Sequence, residues 1–179
     1  MKKTVKTFFA VMLTLAATSL LFAKGSSDSA AAGGGKKFVI GMAQCNLGEP
    51  WRVAMNAQIA AAAKNYPMFE VIFSDAAQDN SKQIADIENF IQMHVDLLIT
   101  SPNEAKPLTN VIKRAYEAGI PVILLDRKIE GDTYTQFIGA DNTLIGRECG
   151  KYVAQTLLPN GGNICEIKGL EGTSGGIER

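Results

Sequence analysis

Asp126 and Arg127 stand side by side just after a short apolar run, and Trp51, the sole tryptophan, is followed at once by Arg52, with Glu49 and Asn46 close upstream. A carboxylate beside a guanidinium sets acceptors next to a rigid fork of donors, and an indole adds a flat apolar face. Such a set suits a molecule with hydroxyls on its edges and C–H bonds on its faces, as in a neutral polyol such as a sugar. Blander roles compete with this one. Asp126 and Arg127 can pair with neighbours at a strand end, Trp51 can anchor the first helix to the core, and Arg52 and Glu49 can be solvated surface charges.

Reactive chemistry has less to work with. Gly41 and Gly48 are separated by six intervening residues, which breaks the G-x-G-x-x-G spacing that lets a backbone approach a pyrophosphate, so no dinucleotide cofactor is expected. No Lys-Ser or Lys-Thr pair follows a glycine, as a Walker loop would require. The single histidine, His94, falls at the end of a helical stripe, a place for packing or capping. A hydrolase built on Asp126 or Asp75 would lack a partner base, so no catalytic residue is expected. Cys45, Cys149 and Cys165 contain no close pair for zinc, and no metal is expected; a Cys149–Cys165 disulfide stays open as the pairing nearest in sequence. With 18 Lys and Arg against 18 Asp and Glu, the chain offers no basic surface for nucleic acid.

The elements that must position these residues alternate in period. Short apolar runs at Phe38–Ala43, Val71–Phe73, Leu97–Ile99, Val122–Leu125, Gln136–Ile138 and Asn163–Ile167 read as strands. Between them lie helical stripes: Trp51–Tyr66, Ser81–His94 with Ile84, Ile87, Phe90 and Ile91, and a third carrying Leu108, Val111, Ile112 and Ala115. Asn80 or Ser81 is expected to cap the second helix, Asn103 or Glu104 with Pro107 to open the third, and Gly119 with Pro121 to end it. The β-α alternation with short connections predicts an α/β fold, a doubly wound parallel sheet. In such sheets ligands meet the loops at the carboxyl ends of strands, which selects residues 44–52, 74–79, 100–103 and 126–128.

The start of the chain reads as an address. Lys2, Lys3 and Lys6 precede an apolar stretch from Phe8 to Ala23, and small residues follow, so residues 1–23 are expected to be a secretory signal and the protein to be exported to the periplasm. Residues 24–36 hold no large apolar side chain and read as a flexible tether.

The segments Gly41–Arg52, Ile99–Pro102, Ala118–Arg127, Ile138–Asn142 and Gly169–Ser174, in this order, resemble the periplasmic sugar-binding proteins of ABC importers, of the ribose and galactose type. The Pro-Trp-Arg segment is similar to members that bind galactofuranose or related sugars. The resemblance implies a two-lobed receptor, monomeric at full length, that closes on a monosaccharide and presents it to a membrane permease. Transport and chemotactic signalling are both compatible with it. It implies Trp51 as a stacking aromatic, Arg52 and Ser101 as ligand contacts, Asp126 and Arg127 as paired hydroxyl binders, and Arg179 as a contact from the second lobe. Asn46 and Glu49 rank after these. Asp141 and Asn142 would be hinge and helix-cap residues. By the same likeness residues 37–140 form the first lobe and 141–179 an incomplete start of the second. The type I periplasmic-binding-protein fold would then be truncated, and a chain of this extent is expected to bind sugar weakly or to be a remnant.

Overall fold

Five of the six apolar runs become strands because each finds a neighbour of the same direction to complete its hydrogen bonds. The computed structural model describes residues 36–179. The expected export signal, and the tether apart from Lys36, lie outside the described residues. Among those described the order is β1 (Phe38–Gln44), α1 (Pro50–Ala63), β2 (Phe69–Asp75), α2 (Asn80–Gln92), β3 (Leu97–Ser101), α3 (Ala105–Glu117), β4 (Val122–Leu125), β5 (Gln136–Ile138), α4 (Asn142–Tyr152) and α5 (Ser174–Glu178). A π-helical turn, Val153–Leu157, continues α4. No helix among the described residues is long and apolar enough to cross a membrane.

All strands pair in parallel, in the order β2-β1-β3-β4-β5. The register sets Gln44 beside Asp75 on one flank and beside Ser101 on the other, so the carboxyl ends of the central strands finish level. From β1 the chain moves outward to β2 and then returns to β3 on the opposite side. That reversal opens a crevice above β1 and β3, the place where an open parallel sheet receives ligands.

The core lies on the face covered by α2 and α3. Ile87 and Phe90 of α2 and Leu108, Val111, Ile112 and Ala115 of α3 bury against Ala43, Leu98, Val122 and Leu124 of the strands. Their helical spacing of three and four places them on one stripe, as the sequence pattern requires. Gly41 is needed for this fit, because a Cβ there would meet the Phe90 ring at 2.7 Å. The third helix ends as expected, with Gly119 at φ +84° turning the chain toward β4.

Two expectations change. Asp79, not Asn80 or Ser81, caps α2: its backbone is extended and its carboxylate accepts from the Ser81 and Lys82 amides at 2.7 and 3.2 Å. Asn80 is already helical, and its side chain turns instead to Glu104 and Asn103. The run Asn163–Ile167 forms no strand; Ile164 and Ile167 are 73% and 95% exposed. A strand needs a partner's ladder, and the sheet ends at β5, which pairs only with β4. At the start of α4, Asp141 is the cap, accepting from the Leu144 amide at 2.9 Å.

Candidate functional site

The loop after β1 is shaped by Asn46, whose Oδ1 accepts from the Gly48 amide at 2.9 Å and turns the chain into α1. Pro50 occupies the first helical position, where a missing N–H costs nothing. Arg52, in the first turn of α1, is the only residue of that helix to be buried, with 1% exposure. Its Nη1 donates to Gln44 Oε1 and Ser101 Oγ, both at 3.0 Å. Its Nη2 stands 3.4 Å from Asp126 Oδ2, and its Nε lies 2.7 Å from Glu49 Oε2 in an ion pair without hydrogen-bond alignment. A guanidinium can leave water this fully only when its donors face acceptors on several sides. Arg52 is therefore not the solvated surface charge that the sequence allowed.

Asp126 adopts a left-handed backbone, φ +63°, which is uncommon for a residue with a side chain and marks strain at the end of β4. Its amide donates to the Ile138 carbonyl at 2.8 Å, so β5 holds the turn. The carboxylate sits between two guanidiniums, with Oδ2 at 3.4 Å from Arg52 Nη2 and 3.9 Å from Arg127 Nε. Arg127 Nη1 donates to the Asn103 carbonyl at 2.8 Å, which aligns the fork along the crevice edge. Trp51 keeps 45% of its surface exposed, and its ring centroid lies 4.2 Å from Arg52 Cζ. It is not a core anchor; it presents an indole face backed by a cation.

One cavity of about 360 Å³ collects most of the residues that the sequence singled out. Glu49, Trp51, Arg52, Asp126 and Arg127 line it from the sheet end, and Asn142, Arg179 and the segment Glu166–Leu170 line it from the later part of the chain. Arg179 Nε donates to Asn142 Oδ1 at 2.9 Å, which ties these two together. The lining carries the cations Arg52, Arg127, Lys168 and Arg179 against the carboxylates Glu49, Asp126 and Glu166, a near balance that favours a neutral, hydroxylated occupant over a multiply charged one. Ser101 and Asn46 do not line the cavity: both are buried behind it, Ser101 fixing Arg52 and Asn46 fixing the loop. Asp141 also stays outside it, as the α4 cap.

Sequence reasoning placed Gln44 and Asn103 in loops and gave Gln83 no role, and so missed three buried amides that support the cavity from behind. Gln44 accepts from Arg52, Gln83 and Asn103 join the ends of β1 and β3, and all three are almost fully buried. The available signal was a polar residue in an apolar pattern, Gln44 closing an apolar strand and Gln83 four positions before the buried Ile87. Thr173 and Lys168 were missed as lining residues because the loop that carries them has no periodicity to read.

Cys45, wholly buried behind the loop, has its thiol pushed above the usual range by burial, with Arg52 and Arg127 pulling partly against this. A thiol so held is a poor nucleophile. Cys149 and Cys165 are exposed and unpaired, so the open disulfide does not form. Among the described residues no group of three His, Cys, Asp or Glu side chains gathers as a metal site would require.

The profile of the periplasmic binding protein domain matches residues 40–179. The ribose import binding protein of Bacillus subtilis is 30% identical over the whole of this chain, which covers 58% of that protein. The galactofuranose-binding protein of Escherichia coli is 29% identical over 78% of the chain and 45% of its own length. Among solved structures, the fructose-binding periplasmic domain of a hybrid two-component system superposes with a TM-score of 0.73 at 48% identity, over 79% of this chain and 46% of that one. The chain spans about half the length of the curated relatives it matches.

Proposed function

This chain belongs to the periplasmic binding protein domain family, and we propose that its cleft captures a monosaccharide outside the cytoplasmic membrane for delivery to the permease of an ABC importer. The observation that carries this reading is Asp126 poised between Arg52 and Arg127 in one cavity with Trp51 and Arg179. Asp126 accepts from sugar hydroxyls, the three guanidiniums donate to hydroxyl and ring oxygens, and the indole packs against the C–H face. Ser101 and Asn46 serve from behind by holding Arg52 and the first loop, and Glu49 balances the Arg52 charge. The role we propose is binding, in keeping with relatives that are binding proteins. Residues 37–140 act as one lobe and 141–179 as part of the other, with Asp141 and Asn142 at the crossing between them, and the working unit is a monomer in the periplasm.

Thermal unfolding of the chain with saturating D-ribose, D-fructose and other pentoses and hexoses tests the reading. One of them should raise Tm in proportion to the logarithm of its concentration, since a ligand of the native state stabilises it by mass action. Asp126→Ala should abolish that rise. No rise with any of these sugars overturns the proposal. A second output, sensing in place of import, is favoured by the solved fructose-binding domain of a two-component system, and deletion of the gene for this protein separates the two: loss of sugar uptake supports import, loss of sugar-dependent signalling alone supports sensing.

A further inference from the structure

Gln83 lies in the first turn of α2, wholly buried, at a place on the helix where its neighbours on the stripe are apolar. Its Nε2 donates to the Ser101 carbonyl at 2.9 Å and the Ala43 carbonyl at 3.2 Å, and lies 3.4 Å from Thr100 Oγ1. Its Oε1 accepts from the Asn103 amide at 2.8 Å. One side chain thus joins the carboxyl end of β1, the carboxyl end of β3 and the loop beyond β3. Asn103 belongs to neither a helix nor a strand, so its amide has no ladder to enter, and Gln83 supplies the missing acceptor. The carbonyl of that same residue accepts from Arg127 Nη1 at 2.8 Å.

We infer that Gln83 is a positioning residue for the cleft: by fixing Asn103 it sets where Arg127 points, although it never meets the occupant. It does not line the cavity, so any effect on binding must travel through its neighbours: through Asn103 to Arg127, the route inferred here, or through Ser101, whose hydroxyl accepts from Arg52. The consequence for sugar affinity rests on the proposed function; the geometry of Arg127 does not. A purely structural role would tie β1 to β3 through the two carbonyl contacts and leave Arg127 unaffected.

The two ends of the Gln83 amide separate these roles. Gln83→Glu keeps an acceptor for the Asn103 amide but gives up the donors to Ala43 and Ser101, whereas Gln83→Met gives up both. In ¹⁵N NMR of the sugar-free chain, the Arg127 guanidinium should show hindered rotation in the unsubstituted protein and in Gln83→Glu, and free rotation in Gln83→Met. Both variants should lose stability. Equal loss of the Arg127 signature in the two variants, or its retention in both, overturns the inference. With the sugar that raises Tm, Gln83→Met should weaken affinity by roughly tenfold, and that effect should vanish in an Arg127→Ala background, as coupled residues require. Full additivity overturns the inference while leaving the sugar-binding reading intact; absence of any sugar binding defeats that reading, and the NMR comparison still decides the role of Gln83. Should Gln83→Met fail to fold, hydrogen exchange on the unsubstituted chain decides: the Asn103 amide should be protected and should open together with the Arg127 Nη protons, and exchange of that amide at exposed-loop rates overturns the inference.

Discussion

Residues 38–138 and residues 141–179 contribute facing walls of one cavity, yet they are held by different forces. Every member of the apolar core cluster falls between Ala43 and Ile129. From Asp141 onward only Asn142, Thr173 and Ser174 are buried, all polar, while Leu144, Tyr152, Leu157, Ile164, Ile167 and Ile177 are exposed. The later wall is fastened to the earlier one by polar contacts: the Ala105 amide to the Gly172 carbonyl at 2.8 Å, the Lys128 amide to Ser174 Oγ at 2.9 Å, and Lys128 Nζ to Glu178 Oε1 at 3.7 Å. Close-packed apolar side chains fix position to a fraction of an ångström, whereas a few hydrogen bonds open and re-form against water. Within this chain, which spans about half the length of its relatives, the wall bearing Arg52, Asp126 and Arg127, hereafter the rigid wall, rests on apolar packing, and the wall bearing Arg179 and Glu166–Leu170 is joined to it by hydrogen bonds and an ion pair.

The largest test of this contrast sets one apolar side chain from each region against the other. Leu108→Ala, wholly buried in α3, should cost about 3 kcal/mol in denaturant unfolding, because the loss of buried methyl groups adds to the cavity left behind. Ile167→Ala, at 95% exposure, should stay within about 0.5 kcal/mol. Comparable losses at the two positions would mean that the later region has an apolar core after all.

A smaller effect sharpens how the walls are joined. Ser174→Ala removes the acceptor of the Lys128 amide and should cost the fastening about 1 kcal/mol, the scale of one hydrogen bond. Hydrogen exchange should then quicken over residues 166–178 and stay unchanged in α2 and α3. Uniform quickening across the chain would show that the two walls open as one unit.

The smallest effect concerns the foot of the rigid wall. Asp96 accepts from the Val39 amide at 2.8 Å and lies 3.3 Å from Lys36 Nζ; the amide first, and the ammonium second, hold its carboxyl below the usual carboxylate value. A depressed folded value means a contribution that is complete above the unfolded value, near 3.9, and is lost as pH falls through the folded one. Between the native protein and Asp96→Asn, the difference in Tm should accordingly be constant from pH 5 to 7 and shrink below pH 4. A difference that grows on acidification would contradict this assignment.

Much of the rigid wall was legible in the sequence. The stripe Leu108, Val111, Ile112 and Ala115, the apolar runs of β1 to β5 and the turn at Gly119 are local patterns, and each element formed where its pattern lay. The run Asn163–Ile167 had the same local pattern and formed no strand, because pairing depends on a neighbour that no local window contains. Asn80 and Ser81 were as good on paper as Asp79 for capping α2, and the choice fell to whichever residue had the extended backbone.

By itself the sequence determined the alternation of strand and helix, and with it the sheet edge at which Trp51, Ser101, Asp126 and Arg127 arrive, since periodicity and turn chemistry act over a few residues. Only the tertiary structure decided that Arg52 goes inward and not out to solvent. Its acceptors Ser101 and Asp126 lie 49 and 74 residues away, and a buried guanidinium is tolerated only where such distant groups converge to replace water.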